Sequence, residues 1–190
     1  MRDLIPIRSN QLWVSDITYW KIETGNLYIS FITDAYSHKI VGYQVAETLE
    51  AIESIQALEM ALSCLGQPIE GLIHHSDRGI QYCSGGYVNL LQDYGIAISM
   101  TENGDPRENA IAERVNGILK GEYLECYTVY NLSEAKELLE QVVQLYNEER
   151  PHMSIGNMRP NQMHENNQET KKLWRTYYSK NRTIVNQPQD

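Results

Sequence analysis

Hydrophobic and polar positions first divide the chain into three strand-like segments, Leu12–Trp20, Leu27–Thr33 and Lys39–Glu47. Short polar turns, at residues 23–26 and 36–38, separate these segments. Turns of this length join strands that are neighbours in a sheet. The pattern therefore predicts an antiparallel meander of three strands at the start of the fold.

Apolar residues then recur at helical spacing from Ala51 to Leu65, where Gly66 and Pro68 supply a helix stop. Shorter hydrophobic runs and further helical segments follow. We expect strands at Gly71–His75 and Ile96–Met100, and helices at Ser84–Tyr94, from about Glu108 past Lys120, and at Ser133–Glu148. This order predicts an α/β fold with a five-stranded mixed sheet, rather than a doubly wound parallel sheet.

Length and composition favour one packed domain, because 190 residues with 42% apolar content cannot supply two full cores. We expect the core over residues 1–165 and a polar, basic tail over residues 166–190. The sequence has no run of 18 apolar residues and no secretory signal, which predicts a cytoplasmic protein without a membrane partner. Its three cysteines are widely spaced, which argues against a disulfide framework or a zinc site.

The net charge of −9 is unusual for a free-standing nucleic-acid binder, which is normally basic. Residues 169–190 carry a local charge of +3, so the acidity lies in the domain body. Bound cations would offset part of it, and a DNA-binding segment absent from this chain would balance another part.

Three acidic residues have the spacing of a metal-dependent nucleic-acid enzyme: Asp16, Asp77 and Glu113, with 35 residues between the last two. A carboxylate within an apolar strand is unfavourable unless it is paired, protonated or bound to a cation, so Asp16 needs an explanation. Carboxylate oxygens suit Mg²⁺ or Mn²⁺ better than zinc. Two such ions, roughly 3.5–4 Å apart, serve many nucleases and polymerases. We therefore predict a site for two Mg²⁺ or Mn²⁺ ions.

Each acid also has a structural interpretation. Asp77 suits a simple turn before Gly79, Glu113 suits a solvated helix face, and Asp16 suits a buried carboxyl bonded to backbone. His74 and His75 have no partner at metal-ligand spacing, so we expect them to be structural. Spacing alone leaves the functional and structural interpretations about equally supported.

The helix that carries Glu113 is predicted to face DNA. Lys120 lies seven positions further on, near the same face, where its ammonium would meet a phosphate. Asn109 and Asn116 would offer neutral hydrogen bonds, and Arg114 and Arg107 would add positive charge. The loop at residues 103–106 would close over bound DNA, although it equally suits an ordinary turn.

With these residues considered together, the chain resembles the catalytic domain of bacterial insertion-sequence transposases of the retroviral-integrase-like kind. The similarity spans roughly residues 10–163. Its motifs are Trp13–Tyr19, Asp34, Ile40–Tyr43, His75–Tyr82, Ser99–Thr101, Gly104–Glu113, Leu119–Lys120 and Tyr146–His152.

This resemblance implies a ribonuclease H-like fold with Asp16, Asp77 and Glu113 as metal ligands, Asp16 being shared by both ions. It also implies cleavage and strand transfer of DNA at element ends, with element and target DNA as partners and a homo-oligomer as the active form. Glu108 stands where many relatives have Asp, a conservative departure outside the triad. Such transposases usually carry upstream helix-turn-helix segments, so we expect this chain to be a fragment that binds DNA weakly and without sequence specificity.

Two other functions stay open at this stage. One is a ribonuclease H or another structure-directed nuclease on the same fold, although the segment Tyr146–His152 favours the transposase. The other is a catalytically silent remnant that acts by oligomerising with a full-length relative, although the intact triad weighs against decay.

Overall fold

The computed structural model describes residues 4–65, 69–101 and 109–166, and its sheet has five strands in the order β3-β2-β1-β4-β5. The strands are β1 Leu12–Ile22, β2 Gly25–Asp34, β3 Ile40–Ala46, β4 Ile73–Ser76 and β5 Ala97–Met100. The first three pair antiparallel, β4 runs parallel to β1, and β5 runs parallel to β4. The predicted five-stranded mixed sheet is therefore confirmed.

Five α-helices flank this sheet in the described ranges: α1 Ala51–Ser63, α2 Gly85–Asp93, α3 Ala110–Ile118, α4 Leu132–Glu149 and α5 Pro160–Glu165. The helix expected to run past Lys120 stays helical but changes type. After α3 comes a π-helical turn, Leu119–Tyr123, and then a 3-10 turn, Leu124–Cys126. A second 3-10 turn, Met153–Ile155, and the short helix α5 were not anticipated from the sequence pattern.

Two hydrophobic layers cover opposite faces of the sheet. On one face Trp20 and Phe31 pack with Val115 of α3 and Leu139 of α4. On the other face, Trp13 of β1 and Ile32 of β2 pack with Leu58 of α1 and with Tyr87 and Leu91 of α2. Because successive residues of a strand point to opposite faces, the even positions of β1 near Asp16 face the α3 side. This alternation directs Asp16 towards α3.

The C-terminal end of α4 is tied to two other elements. Asn147 accepts a hydrogen bond from the Ile40 amide and donates one to the Ile40 carbonyl, both at 3.0 Å, which docks α4 on β3. Arg150 binds Glu122 of the π-helical turn through two hydrogen bonds of 2.6 and 2.7 Å. The segment Tyr146–His152, which carries part of the resemblance, therefore holds the π-helical turn against the sheet.

A buried carboxylate joins both ends of the described chain. Asp34 is fully buried at the end of β2 and accepts hydrogen bonds from the Asn10 amide and from the amide and hydroxyl of Ser37, at 2.7–2.8 Å. Ser37 also bonds to Nδ1 of His164 in α5 at 2.9 Å, and the Ser9 hydroxyl donates to the His164 carbonyl at 2.5 Å. We call this group the Asp34 clip.

Most of the predicted tail, residues 167–190, lies outside the described residues, so the domain boundary stays a prediction. Cys64, Cys83 and Cys126 are free and exposed. Among the described helices, none has the length and apolar content needed to cross a membrane.

Gly42 tests the contact between β3 and α1. A Cβ at this position would lie 2.1 Å from the Ala57 carbonyl oxygen and 2.9 Å from the Ala61 Cβ. We expect Gly42→Ala to lower the free energy of unfolding by about 1–3 kcal/mol in urea titrations, because the backbone must shift. Gly117→Ala on α3, where a Cβ would meet no atom within 4 Å, is the control and should gain about 0.5–1 kcal/mol. Equal effects of the two changes would contradict this packing.

Candidate active site

Asp16 lies in the middle of the central strand, half-buried, on the face that α3 covers. Burial is the main reason that its pKa rises from 3.8 to about 6, and the negative charge of Asp77 adds to the rise. The Ile17 amide and the Asn116 side chain oppose the shift by hydrogen bonding. The fold therefore holds this carboxylate where its charge is poorly stabilised.

Two asparagines fasten α3 to β1 at the site. Asn109 donates from Nδ2 to the Ser15 carbonyl at 3.0 Å, and Asn116 donates from Nδ2 to Oδ2 of Asp16 at 2.7 Å. Glu113 lies four residues after the first and three before the second, so all three share one helix face. This spacing directs Glu113 towards Asp16, and the charge of Glu113 contributes to the raised pKa of Asp16.

Asp77 follows the last residue of β4 directly and is exposed. Its Oδ1 accepts a hydrogen bond from the Gly79 amide at 2.9 Å, and a Cβ at Gly79 would approach the same oxygen to 2.9 Å. Arg78 fixes the next position by donating from Nε to the Thr101 carbonyl at 2.8 Å. Asp77 thus forms the turn considered from the sequence and is also an electrostatic neighbour of Asp16.

Two open clefts meet at Asp16. The first, which we call the α3 cleft, is lined by Asp16, Thr18, Glu113, Asn116, Gly117, Lys120, Gly121 and Glu125. The second, the β4 cleft, is lined by Asp16, Ile17, Thr18, Tyr19, Tyr28, Leu49, Asp77, Gly79, Gln81 and Tyr82. Glu113 therefore belongs to one cleft and Asp77 to the other, with Asp16 in both.

The residues predicted to contact DNA fall into different places. Lys120 lines the α3 cleft, and its Nζ lies 3.9 Å from the centre of the Tyr19 ring. Arg114 lines a separate apolar cavity with residues that include His152, and lines neither cleft at Asp16. Arg107 lies outside the described residues.

Asn109 and Asn116 are both buried, and their amides are used by β1. These hydrogen bonds support the site from within, and the DNA contacts predicted for both residues stay predictions. The sequence signal for such a role is their spacing of four and three residues around Glu113.

The acids surround Asp16 without forming a closed cage. Across residues 4–65, 69–101 and 109–166, no three His, Cys, Asp or Glu side chains lie close enough to hold a metal ion between them. Three residues near Asp16 were missed from the sequence: Tyr19, Tyr82 and Glu125. The sequence indicates these residues only by their places in the chain: Tyr19 follows Asp16 on the same strand, and Tyr82 follows Asp77 by five residues.

His74 supports the strand that carries Asp16. Its Nε2 lies 2.6 Å from the Ser15 hydroxyl and 2.9 Å from the Tyr87 hydroxyl, and the ring is buried. Burial, with the neighbouring His75, lowers the pKa of His74 to about 3, so the ring is neutral at physiological pH. These contacts agree with the structural role expected for this histidine.

Comparison with known proteins places this chain in a family. Two family models of the integrase core domain match the chain, one over residues 6–106 and the other over residues 94–160. The chain belongs to the integrase core domain family, whose transposases and integrases are enzymes that cut and join DNA. The resemblance inferred from the sequence is thereby confirmed.

Two curated relatives come from Shigella sonnei. The chain is 38% identical over 156 residues to the uncharacterized 31 kDa protein of insertion element IS600, covering 82% of this chain and 57% of that protein. It is 34% identical over 159 residues to the transposase of insertion sequence element IS629, covering 84% of this chain and 53% of the relative. The chain thus spans about half the length of these relatives. They support the transposase over the ribonuclease and remnant alternatives.

The fold matches a solved structure of the HTLV-2 integrase catalytic core domain in complex with magnesium, in a trimeric form. The TM-score is 0.65 at 20% sequence identity, over 83% of this chain and 97% of the other. The predicted ribonuclease H-like fold is confirmed by this match.

The raised pKa of Asp16 predicts a pH-dependent stability. Its folded pKa of about 6 exceeds the ordinary value of 3.8, so the native state binds the proton more tightly and loses stability as pH rises between these values. In chelator-treated buffer, Asp16→Asn should be more stable than the wild type at pH 8 by roughly 1–2 kcal/mol, a value reduced for partial exposure. The difference should vanish below about pH 4.

Urea unfolding at both pH values measures this effect. Asp93→Asn, at the exposed end of α2, is the control for a surface charge change. A wild type that equals or exceeds Asp16→Asn at pH 8 would contradict an unfavourably placed charge.

Proposed function

We propose that this chain is the catalytic core of a DNA transposase that cleaves and transfers DNA strands with the help of divalent cations. The observation that carries the proposal is the arrangement of the acids: Asp77 and Glu113 flank Asp16 from two clefts that meet at its carboxylate. Family membership makes DNA the substrate class. The terminal repeats and target DNA of an insertion element are the proposed substrates.

The donor set fits Mg²⁺ or Mn²⁺. All three acids offer oxygen ligands, as hard divalent cations require, and in the described part of the chain the side chain that hydrogen-bonds the half-buried Asp16 is the neutral Asn116. Two ions would be held by Asp16 together with Asp77 on one side and Glu113 on the other. Bound cations would activate the attacking oxygen and stabilise the leaving 3′ oxygen. The magnesium in the HTLV-2 structure is consistent with this choice.

Other side chains of the chain position the strand. Lys120 is the cation of the α3 cleft, next to Glu113 and Glu125, and its ammonium would meet a phosphate there. Asn116 keeps Asp16 oriented towards the clefts through its hydrogen bond to Oδ2. Cations are needed for a phosphate to enter, because the acids of the α3 cleft would otherwise repel it.

The active form is proposed to be a homo-oligomer, since two element ends must be brought together for transposition. The proposed location is cytoplasmic. We infer weak, non-specific DNA binding by this chain alone, and nanomolar binding to one terminal repeat would contradict that inference.

Removal of one proposed ligand tests the reaction. Asp77→Asn should lower Mg²⁺-dependent cleavage of terminal-repeat DNA by at least ~10³-fold, because the ligand is lost while the fold is kept. Asp93→Asn, on the exposed end of α2, is the matched control and should keep full activity. Cleavage would be assayed on terminal-repeat duplex, unrelated duplex and RNA–DNA hybrid. Retained activity in Asp77→Asn would refute the site, and preference for the hybrid would favour a ribonuclease.

Salt dependence tests the role of Lys120. Lys120→Ala should weaken binding to non-specific duplex DNA and reduce the slope of log affinity against log salt by about 1, because one phosphate contact is lost. Binding would be measured by fluorescence anisotropy in Mg²⁺ at several salt concentrations. Lys136→Ala on the exposed face of α4 is the control. An unchanged slope in Lys120→Ala would remove this residue from the DNA-binding surface.

A further inference from the structure

Tyr82 is a buried aromatic residue at the floor of the β4 cleft. Its ring centre lies 5.4 Å from that of Tyr87 in an edge-to-face contact and 6.3 Å from that of His74. This packing belongs to the hydrophobic layer formed with α1 and α2. The ring is therefore fixed by the core, and the direction of its hydroxyl is fixed with it.

The hydroxyl of Tyr82 differs from that of its neighbour. Tyr87 bonds through its hydroxyl to Nε2 of His74 at 2.9 Å. The Tyr82 hydroxyl is buried but has no hydrogen-bond partner within the described part of the chain. An unsatisfied buried hydroxyl is destabilising, whereas a phenylalanine would fill the same space without that penalty. The hydroxyl therefore has no evident role in packing.

The cleft that Tyr82 lines also contains two of the proposed catalytic acids. Tyr82 lines the β4 cleft together with Asp16 and Asp77. Burial first, and then the charges of Tyr87, Asp16 and Asp77, raise the pKa of Tyr82 well above its usual value of 10. A phenol hydroxyl can donate one hydrogen bond, and carboxylate oxygens are acceptors for it.

The negatively charged acceptors in the β4 cleft are the carboxylates of Asp16 and Asp77, whose oxygens can accept further hydrogen bonds. Within residues 4–65, 69–101 and 109–166, Asp77 accepts its hydrogen bond at Oδ1, from the Gly79 amide. No group of three such side chains within the described residues could hold a metal ion, so the proposed cations would be held by pairs of acids, such as Asp16 and Asp77. Ligating carboxylates are usually held by outer hydrogen-bond donors.

We propose that Tyr82 is a positioning residue whose hydroxyl donates a hydrogen bond to the Asp16 and Asp77 carboxylate pair when this pair closes on a divalent cation. The inference rests on the proposed function and adds a residue to its cation site.

The test compares Tyr82→Phe with Tyr87→Phe in the 190-residue chain. Mn²⁺ binding would be followed by the loss of the free-ion EPR signal, with and without duplex DNA. Tyr82→Phe should weaken Mn²⁺ affinity by about 10- to 100-fold. Its cation-free melting temperature should stay unchanged or rise, because an unsatisfied buried group is removed.

Tyr87→Phe should show the opposite pair of effects. It loses a buried hydrogen bond to His74, so its melting temperature should fall by about 2–4 °C while Mn²⁺ affinity stays at the wild-type value. Equal Mn²⁺ affinity in Tyr82→Phe and the wild type would overturn the inference. A drop in melting temperature in Tyr82→Phe as large as that in Tyr87→Phe would also overturn it, since the hydroxyl would then be structural.

Asp16→Asn separates failure of this inference from failure of the proposed function. If the wild type binds no Mn²⁺ even with DNA, or Asp16→Asn binds it equally well, the cation site fails and the role of Tyr82 fails with it. If Mn²⁺ binding requires Asp16 but is unchanged in Tyr82→Phe, only the role of Tyr82 is lost.

Discussion

The desolvated carboxylate of Asp16 is the constraint around which the fold is arranged. Its strand pairs with β2 on one edge, at Asp16 itself, and with β4 on the other edge over Leu12–Val14, so the sheet restrains its backbone. Side chains therefore have to stabilise the negative charge of Asp16. Asn116 supplies one hydrogen bond, and the attachment of Asn109 to Ser15 keeps α3 close enough for Asn116 to do so. The same attachment brings the charge of Glu113 to Asp16.

The helix beyond α3 serves the site indirectly. The π-helical turn carries Lys120 into the α3 cleft, and the Glu122 to Arg150 pair joins this turn to the end of α4. Because α4 is itself docked on β3 through Asn147, the cleft wall is connected to the far strand of the meander. A charged pair that is partly exposed contributes little stability, so its importance here is geometric.

The sequence predicted those features that depend on local patterns. The alternation of apolar and polar residues and the short turns predicted the antiparallel meander. The position of Asp16 within an apolar strand indicated an unusual carboxylate. The sequence pattern did not predict the π-helical turn, because the buried residues there do not follow α-helical spacing. Leu119 and Leu124, both fully buried, are five residues apart, and an α-helix would place them on different faces. Tyr82 was missed for another reason: its hydroxyl is informative only once the structure shows that it is buried without a partner among the described residues and that Tyr82 lines a cleft with Asp16 and Asp77. The hydrogen bond from Asn116 to Asp16 was not predicted, because spacing shows which helix face a residue shares and does not show what that face contacts.

The Asp34 clip has a mechanical consequence. It joins residues 9 and 10, just before β1, to His164 near the other end of the described chain, through hydrogen bonds around one fully buried carboxylate. Tension applied to these two ends would be carried first by the clip, in shear between the two segments. The strand that holds Asp16 begins only two residues later, and the clip would shield it from that force.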